Sequence, residues 1–261
     1  MKITLYQIDA FAEELFSGNP AAVCVLDSWL DDSLMQQIAM ENNLSETAFV
    51  VKDKKSYQIR WFTPMFEVNL CGHATLASAY VLFTYFEKNT SKIDFYSHKS
   101  GALSVIKNGE LLTLNFPADT IKPITPSQQM IEAMGIVPLE SYEGKEDFLL
   151  IFDSQDQIVA LSPDFRKLSK CGRRGVIVSA QGNTVDFVSR FFAPNCGVDE
   201  DPVTGSAHTT LIPYWSKKLG LKQMKAHQLS KRGGYLECQN LGKRVAISGN
   251  AVQYLKGEIT L

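Results

Sequence analysis

The sequence contains Arg60-Trp61-Phe62-Thr63-Pro64 and, 130 residues later, Arg190-Phe191-Phe192-Ala193-Pro194. The first stretch is followed by Cys71-Gly72-His73-Ala74 and the second by Thr204-Gly205-Ser206-Ala207. Arginine and glycine are 12 residues apart in the first copy and 15 apart in the second. Two matches separated by half of a 261-residue chain indicate an internal duplication, and therefore two lobes of similar fold.

Each copy has the pattern of a strand, a proline loop and a helix. Apolar residues alternate before each arginine, as in a strand. The run from 74 to 83 after Gly72 is apolar on nearly all sides, which is typical of a helix buried in a core. A second helix is predicted from Ser206 to about Leu219, where Pro213 can kink it and Gly220 can cap it.

Most of the remaining chain is predicted to form strands. Further helices are expected at Asp31–Asn42 and, after Thr125, at Pro126–Met134, and a proline-rich linker at 116–126. The predicted strands lie at 1–9, 22–26, 46–51, 103–106, 111–115, 148–152, 158–161, 176–178, 234–238 and 244–247. The predicted fold class is α+β, with lobes at 1–117 and 118–261 and a last strand that can return to the first lobe. Each lobe is expected to be a curled, barrel-like sheet around a buried central helix.

Composition and motif content exclude several classes of protein. The net charge is −2 and no basic stripe is present, so neither nucleic acid nor an anionic membrane surface is expected as a partner. The most apolar stretch, 76–86, is too short to span a bilayer. Five cysteines without paired spacing indicate reduced thiols and a cytoplasmic protein. Zinc-binding, dinucleotide-binding and P-loop motifs are absent, so no metal and no cofactor is predicted.

The starts of the two central helices are candidate binding sites for a carboxylate. Equivalent helices in symmetric lobes would direct their N-termini toward a cleft between the lobes, with free N–H groups and partial positive charge. Gly72 and Gly205 would let a ligand approach the backbone, and His73 and Ser206 could reach it. The alternative is that these are ordinary helix starts, with Ser206 capping its own helix.

Three further side chains are candidates for chemistry. Glu46 lies in a predicted strand with apolar neighbours on both faces, so we expect loss of hydration to raise its pKa; alternatively, its carboxylate turns to solvent. Asp201 closes an acidic cluster, 199–201, that precedes the second helix and is near enough to serve the site; such clusters are otherwise solvated loops. Cys71 is either a thiolate activated by the helix N-terminus or a buried, inert thiol.

Together these residues resemble the phenazine-biosynthesis PhzF-like family of the diaminopimelate epimerase superfamily. The matching pieces run in family order from residue 9 to residue 207 and cover most of the chain. They are Asp9-Ala10-Phe11, Gly18-Asn19-Pro20-Ala21-Ala22-Val23, Leu44-Ser45-Glu46-Thr47-Ala48-Phe49, Arg60-Trp61-Phe62-Thr63-Pro64, Leu70-Cys71-Gly72-His73-Ala74-Thr75 and Gly197-Val198-Asp199-Glu200-Asp201-Pro202-Val203-Thr204-Gly205-Ser206-Ala207.

The resemblance implies a diaminopimelate epimerase-like fold and a cofactor-independent isomerase. In the family, a glutamate that matches Glu46 moves a proton within a dihydro-hydroxyanthranilate. Residues that match His73, Asp201 and Ser206 line the site, and the backbone at the two glycines of the helix starts holds the substrate carboxylate. The resemblance also suggests a homodimer.

One pair of positions departs from the epimerases of the superfamily. Those enzymes use two opposed cysteines, whereas this chain has Cys71 at the first position and Thr204 at the second. Threonine is a poor proton acceptor, which disfavours a two-thiol racemase. The Cys/Thr pairing resembles hydroxyproline dehydratases, so a dehydratase or epimerase using Cys71 is the main alternative, and a non-catalytic binding protein is the third.

Overall fold

The computed structural model describes residues 1–261, which form two compact units. Unit 1 comprises 1–115 and 247–261, and unit 2 comprises 116–246. The segment 247–261, which follows unit 2 in the chain, belongs to unit 1. Both units combine mixed β-sheet with a few helices, so the predicted α+β class is confirmed. The model contains no helix that is both long enough and apolar enough to cross a bilayer.

The strands account for most of the regular structure. They are β1 Lys2–Ala10, β2 Asn19–Leu26, β3 Glu46–Asp53, β4 Ser56–Phe62, β5 Glu67–Val68, β6 Lys92–Ser97, β7 Gly101–Asn108, β8 Leu111–Pro117, β9 Lys122–Pro123, β10 Glu140–Glu143, β11 Asp147–Ile151, β12 Gly175–Gln181, β13 Phe187–Phe192, β14 Gln223–Gln228, β15 Gly234–Asn240, β16 Arg244–Gly249 and β17 Ala251–Thr260. The helices are α1 Asp32–Asn42, α2 Gly72–Val81, α3 Gln128–Met134, α4 Gln155–Ala160, α5 Phe165–Leu168 and α6 Gly205–Leu219.

The same order of strand pairings occurs in both units. In unit 1, β2 pairs parallel with β3, β3 antiparallel with β4, β4 parallel with β6 and β6 antiparallel with β7. In unit 2, β11, β12, β13, β14 and β15 repeat this alternation of parallel and antiparallel pairs. A shared pairing order is what a duplicated sequence predicts.

The repeated arginines make the same contacts in both units. Arg60 binds Glu67 with two parallel hydrogen bonds of 2.9 and 3.0 Å, and Arg190 binds Glu200 in the same way at 2.7 and 3.0 Å. Each guanidinium also lies over the phenylalanine two residues further along its strand, at 5.1 Å in unit 1 and 4.9 Å in unit 2. Because both residues point to the same face of the strand, R-x-F is the spacing that this cation–π contact requires.

Helix α2 is the buried centre of unit 1. Nine of its ten residues are buried, and it packs against β1, β2, β3, β7 and β17. Two of its hydroxyl side chains bond within the helix: Thr75 donates to the Cys71 carbonyl and Ser78 to the Ala74 carbonyl. The apolar run is predicted to end near residue 83. In the structure α2 ends at Val81, and a five-residue π-helix, Leu82–Phe86, follows it directly. The apolar run therefore forms the central helix that was predicted.

Helix α6 is the corresponding helix of unit 2. It continues through Pro213 and ends at Gly220, whose left-handed φ of 73° and N–H bond to Ser216 cap it as predicted. Its inner face is held by Trp215, which donates to Ser179 Oγ at 2.9 Å and stacks on Phe187 at 5.8 Å.

Two details of the predicted secondary structure are wrong. The segment 158–161 was expected as a strand, but it lies at the end of α4, which Ser154 caps by accepting from the Gln157 N–H. A short apolar run is ambiguous, and here the capping serine decides it. Helix α3 begins at Gln128, two residues later than expected, because Ser127 and not Thr125 is its N-cap.

Candidate functional site

Three of the predicted site residues meet in unit 1. Glu46 is the first residue of β3, Cys71 is the N-cap of α2, and His73 follows in the first turn. His73 Nε2 lies 3.1 Å from Glu46 Oε2, and His73 Nδ1 lies 3.5 Å from Cys71 Sγ. The His73 side chain is 5% exposed and that of Glu46 is 17% exposed. The imidazole therefore lies between the thiol and the carboxylate, and Glu46 does not extend into solvent.

Asn19 joins this group and was assigned no role from the sequence. It is fully buried at the start of β2, and its Nδ2 is 3.2 Å from Nδ1 of His73. Gly18-Asn19-Pro20 belongs to one of the motif pieces, which was the only signal available. The residues in contact are 54 positions apart, so no local pattern could have revealed it.

The group has an unusual distribution of charge. Burial and, to a smaller extent, the nearby Glu46 raise the pKa of Cys71 to about 11 against a lowering effect of His73, which favours the thiol form near neutral pH. Of the two alternatives for Cys71, this pKa favours the buried thiol over a thiolate activated by the helix N-terminus, because desolvation is the largest effect on it. Burial alone would lower the pKa of His73, but the negative charge of the adjacent Glu46 favours the imidazolium and raises this pKa above its usual value.

This arrangement suits proton exchange better than metal binding. Glu46, Cys71 and His73 offer oxygen, sulfur and nitrogen ligands that lie within 4.8 Å of one another. However, Cys71 and Glu46 contact opposite ring nitrogens of His73, and one ion could bind only one of those nitrogens. A proton, by contrast, can pass between a carboxylate and an imidazole that are 3.1 Å apart.

Both central helices start without a side-chain cap. The N-cap residues are Cys71 for α2 and Thr204 for α6, and neither makes a side-chain capping hydrogen bond. The amides of a first turn need partners from outside the helix, and an anion is a suitable partner. The lack of a capping side chain at each start is what a carboxylate-binding site would require. Gly72 and Gly205 are the first residues of the two helices.

In unit 2, Asp201 and Thr204 are bonded to each other. Thr204 Oγ1 donates to Asp201 Oδ2, and both residues are held by Gln228 from the end of β14. Glu200, the neighbour of Asp201 in the acidic cluster, is occupied by Arg190. Two of the three acids thus have protein partners, an ion pair at Glu200 and a hydrogen bond at Asp201, while Asp199 is exposed.

Ser206 does not cap its own helix. Its Oγ accepts a 3.0 Å hydrogen bond from Nη2 of Arg174, and the same guanidinium binds the buried Asp147 through two hydrogen bonds of 2.9 and 2.5 Å. Because Arg174 is the donor, the hydroxyl proton of Ser206 is directed to another acceptor. Arg174 and Asp147 were not identified from the sequence, since Arg174 is 32 positions from Ser206.

His208, on α6, is a buried histidine that is neutral at neutral pH. Its Nδ1 donates to the Thr204 carbonyl at 2.8 Å, and its ring centroid lies 6.0 Å from that of Phe187. Burial lowers its pKa to about 4, against a smaller raising effect of the bond to Thr204. The side chain is completely buried, so this lowering has its full effect on folding.

His208 should therefore make the protein less stable in acid. The unfolded chain protonates this residue below about pH 6.5, whereas the folded protein keeps it neutral down to about pH 4. Stability is thus lost as the pH falls through this window, by about 2.5 kcal/mol between pH 7.5 and pH 4.5. His208→Gln keeps a donor for Thr204 and removes the titration. Urea unfolding at pH 7.5 and pH 4.5 should show that the variant loses less free energy of unfolding between the two pH values than the unmodified protein does. Equal losses would mean that His208 is not the group responsible.

Comparisons with known proteins identify relatives over the whole chain. The family model described as "Phenazine biosynthesis-like protein" matches residues 8–257. An uncharacterized isomerase of Pseudomonas aeruginosa is 49% identical over 261 residues and covers all of both chains. A solved structure of a PhzF-family protein from Enterococcus faecalis has a TM-score of 0.97 at 46% identity, with all of both chains covered.

A more distant structure shares the fold alone. The structure of a hydroxyproline epimerase from Agrobacterium vitis has a TM-score of 0.65 at 9% sequence identity, and covers 99% of this chain and 92% of its own. This likeness agrees with the epimerase-like fold that was expected for the chain.

Proposed function

Because the chain belongs to the phenazine biosynthesis-like family and is an isomerase, we propose that it moves a proton on a small carboxylate-bearing metabolite, with Glu46 as the acid/base. The observation that carries this proposal is the contact between Glu46 and His73 beside the uncapped start of α2. A carboxylate and an imidazole at 3.1 Å can accept, hold and return one proton.

The substrate carboxylate binds backbone amides at the start of α2, which fixes the substrate next to Glu46. Glu46 accepts a proton from a C–H bond that is acidified by an adjacent double bond. The electron pair of that bond shifts the double bond by one position, and Glu46 returns the proton to the far carbon. Atoms and electrons balance within the substrate, so the step consumes no co-reactant.

His73 serves this cycle in two ways. Its Nε2 faces the carboxylate of Glu46, so it stabilises the charged form that accepts the proton. The two groups also titrate together: the negative charge of Glu46 raises the pKa of His73, and that charge is absent while Glu46 carries the substrate proton. For unit 2 we propose, from the family resemblance, that Asp201 is a proton-transfer group and that Ser206 is a hydroxyl that binds the substrate.

The test is a screen of small carboxylic acids by thermal shift, with dihydro-hydroxyanthranilate in the set. Each binder is then incubated with the protein in deuterated water and followed by proton NMR. The expected result is deuterium at one carbon of an isomerised product, with no change in the elements of the substrate. Binding without exchange for every acid would instead support a non-catalytic binding protein.

A second candidate is a dehydratase or epimerase that uses Cys71 as its base. The position of Cys71 favours it, since Sγ lies 3.5 Å from the same imidazole. Against it, a thiol with a pKa of about 11 is almost never a thiolate at neutral pH.

Cys71→Ala separates the two candidates. For an isomerase based on Glu46, the variant should keep deuterium exchange within about tenfold of the unmodified protein, because only a neighbour of His73 is lost. Cys238→Ala, at another buried thiol, is the matched control. Loss of exchange in Cys71→Ala alone, or a product that has lost water, would support the thiol-based reaction.

A further inference from the structure

Gln228 is the one fully buried amide side chain that contacts the Asp201–Thr204 pair. It is the last residue of β14, 24 positions after Thr204, and its side chain reaches the loop that precedes α6. Its Oε1 accepts from the Thr204 N–H at 2.8 Å. Its Nε2 donates to the Asp201 carbonyl at 2.8 Å and lies 3.2 Å from Thr204 Oγ1.

These contacts allow only one orientation of the amide. The backbone N–H of Thr204 is a donor and must meet the amide oxygen, while the carbonyl of Asp201 is an acceptor and must meet the amide nitrogen. If the amide were flipped, its NH2 group would face the Thr204 N–H and its oxygen would face the Asp201 carbonyl, and neither pair can form a hydrogen bond. The backbone of the loop thus fixes which end of Gln228 is the nitrogen.

The orientation of Gln228 in turn fixes the proton of the Thr204 hydroxyl. Since Nε2 is a donor, Thr204 Oγ1 accepts from it and uses its own proton for the bond to Asp201 Oδ2. The threonine therefore has no proton to offer a substrate. This makes Asp201, and not Thr204, the proton-active group of the pair, with Oδ2 held by the hydroxyl.

We propose that Gln228 is a positioning residue for catalysis, which holds the Asp201 carboxylate in place by directing the Thr204 hydroxyl onto it. The proposal rests on the proposed function, in which Asp201 takes part in the proton transfer. It explains why a threonine can stand where epimerases of this superfamily carry a cysteine: here the position orients a carboxylate and does not exchange protons.

The activity test compares Gln228→Leu, Gln228→Glu and Gln223→Leu, with dihydro-hydroxyanthranilate as the probe. Gln223 is exposed at the other end of β14 and is the matched control. Gln228→Leu should lower kcat about 10²-fold while KM changes little, because the proton group is displaced and the carboxylate site is kept. Gln223→Leu should leave both unchanged.

The pH dependence of kcat in Gln228→Glu distinguishes a positioning role of this side chain from a purely structural one. In Gln228→Glu, the introduced carboxyl can donate to the Asp201 carbonyl only when it is protonated. Its kcat relative to that of Gln228→Leu should therefore rise as the pH falls from about 8 to about 5. A constant ratio over this range, or unchanged kcat in Gln228→Leu, would overturn the positioning role.

A measurement without substrate keeps this result separate from the proposed function. The Thr204 hydroxyl proton should be visible by NMR in the unmodified protein, because the residue is buried and the proton is hydrogen-bonded. It should disappear in Gln228→Leu. If it persists unchanged, Gln228 does not direct it and the inference fails, even where Glu46 is essential. If the unmodified protein shows no exchange with any acid, the proposed function fails. The NMR signal of the Thr204 hydroxyl proton then decides by itself whether Gln228 directs that hydroxyl.

Discussion

Replacing Glu46 with glutamine is expected to lower the rate of proton exchange by about 10²–10⁴-fold, the usual contribution of a general acid/base. The amide has the same shape as the carboxyl group, and its oxygen can occupy the position of Glu46 Oε2, 3.1 Å from Nε2 of His73. It cannot accept and return a proton at neutral pH. The effect should therefore fall on kcat, while binding of the acid, measured by thermal shift, should change only a few-fold.

The matched control is Glu41→Gln, which removes an exposed carboxylate from α1 without touching the candidate site. It should exchange at the rate of the unmodified protein. If Glu46→Gln exchanged as fast as this control, Glu46 would not be the acid/base, and Asp201 or Cys71 would have to be tested in its place.

Gly18→Ala should destabilise the protein by about 3–4 kcal/mol, a large effect for one methyl group. Gly18 has a left-handed φ of +66°, and an added Cβ would lie 2.3 Å from the Ala10 carbonyl oxygen and 2.8 Å from the Ala12 Cβ. A backbone oxygen cannot move aside as a side chain can. The measurement is urea unfolding, with the free energy extrapolated to water.

Gly109→Ala is the control that separates backbone strain from this collision. Gly109 has a similar φ of +62°, but an added Cβ would meet nothing within 4 Å. Its expected cost is about 1 kcal/mol, from the left-handed conformation alone. Equal losses of unfolding free energy in the two variants would mean that the backbone around Gly18 shifts enough to accommodate the added methyl group. A larger loss for Gly18→Ala should also reduce exchange, because Asn19 follows directly and contacts His73.

The fold could be predicted from the sequence because its main signal is repeated and local. R-x-F places an arginine and a phenylalanine on one face of a strand, where they make a cation–π contact, and this occurs in both units. The glycine after each motif opens the central helix. The error at α4 has the opposite cause, since four apolar residues carry little periodic information and tertiary packing overrides it.

The candidate site was only partly accessible from sequence. Glu46 and His73 were singled out as motif residues, and in the structure they are in contact. Asn19, Arg174 and Gln228 were missed because each acts through a hydrogen bond to a residue 24 to 54 positions away. The choice between thiol and thiolate at Cys71 stayed open in the sequence for a related reason. The helix start is visible in the sequence, whereas the burial that outweighs it depends on the whole unit.

The pairing of β17 with β1 has a consequence for synthesis on the ribosome. Strand β1 pairs with β17 along its whole length, from Lys2 opposite Thr260 to Ala10 opposite Ala251. All of unit 2 lies between these two strands in the chain. Unit 2 can thus fold as it emerges, while β1 must wait with one edge unpaired until β17 has been made. During that interval β1 is an open strand edge at which nascent chains are exposed to misassembly and to chaperones.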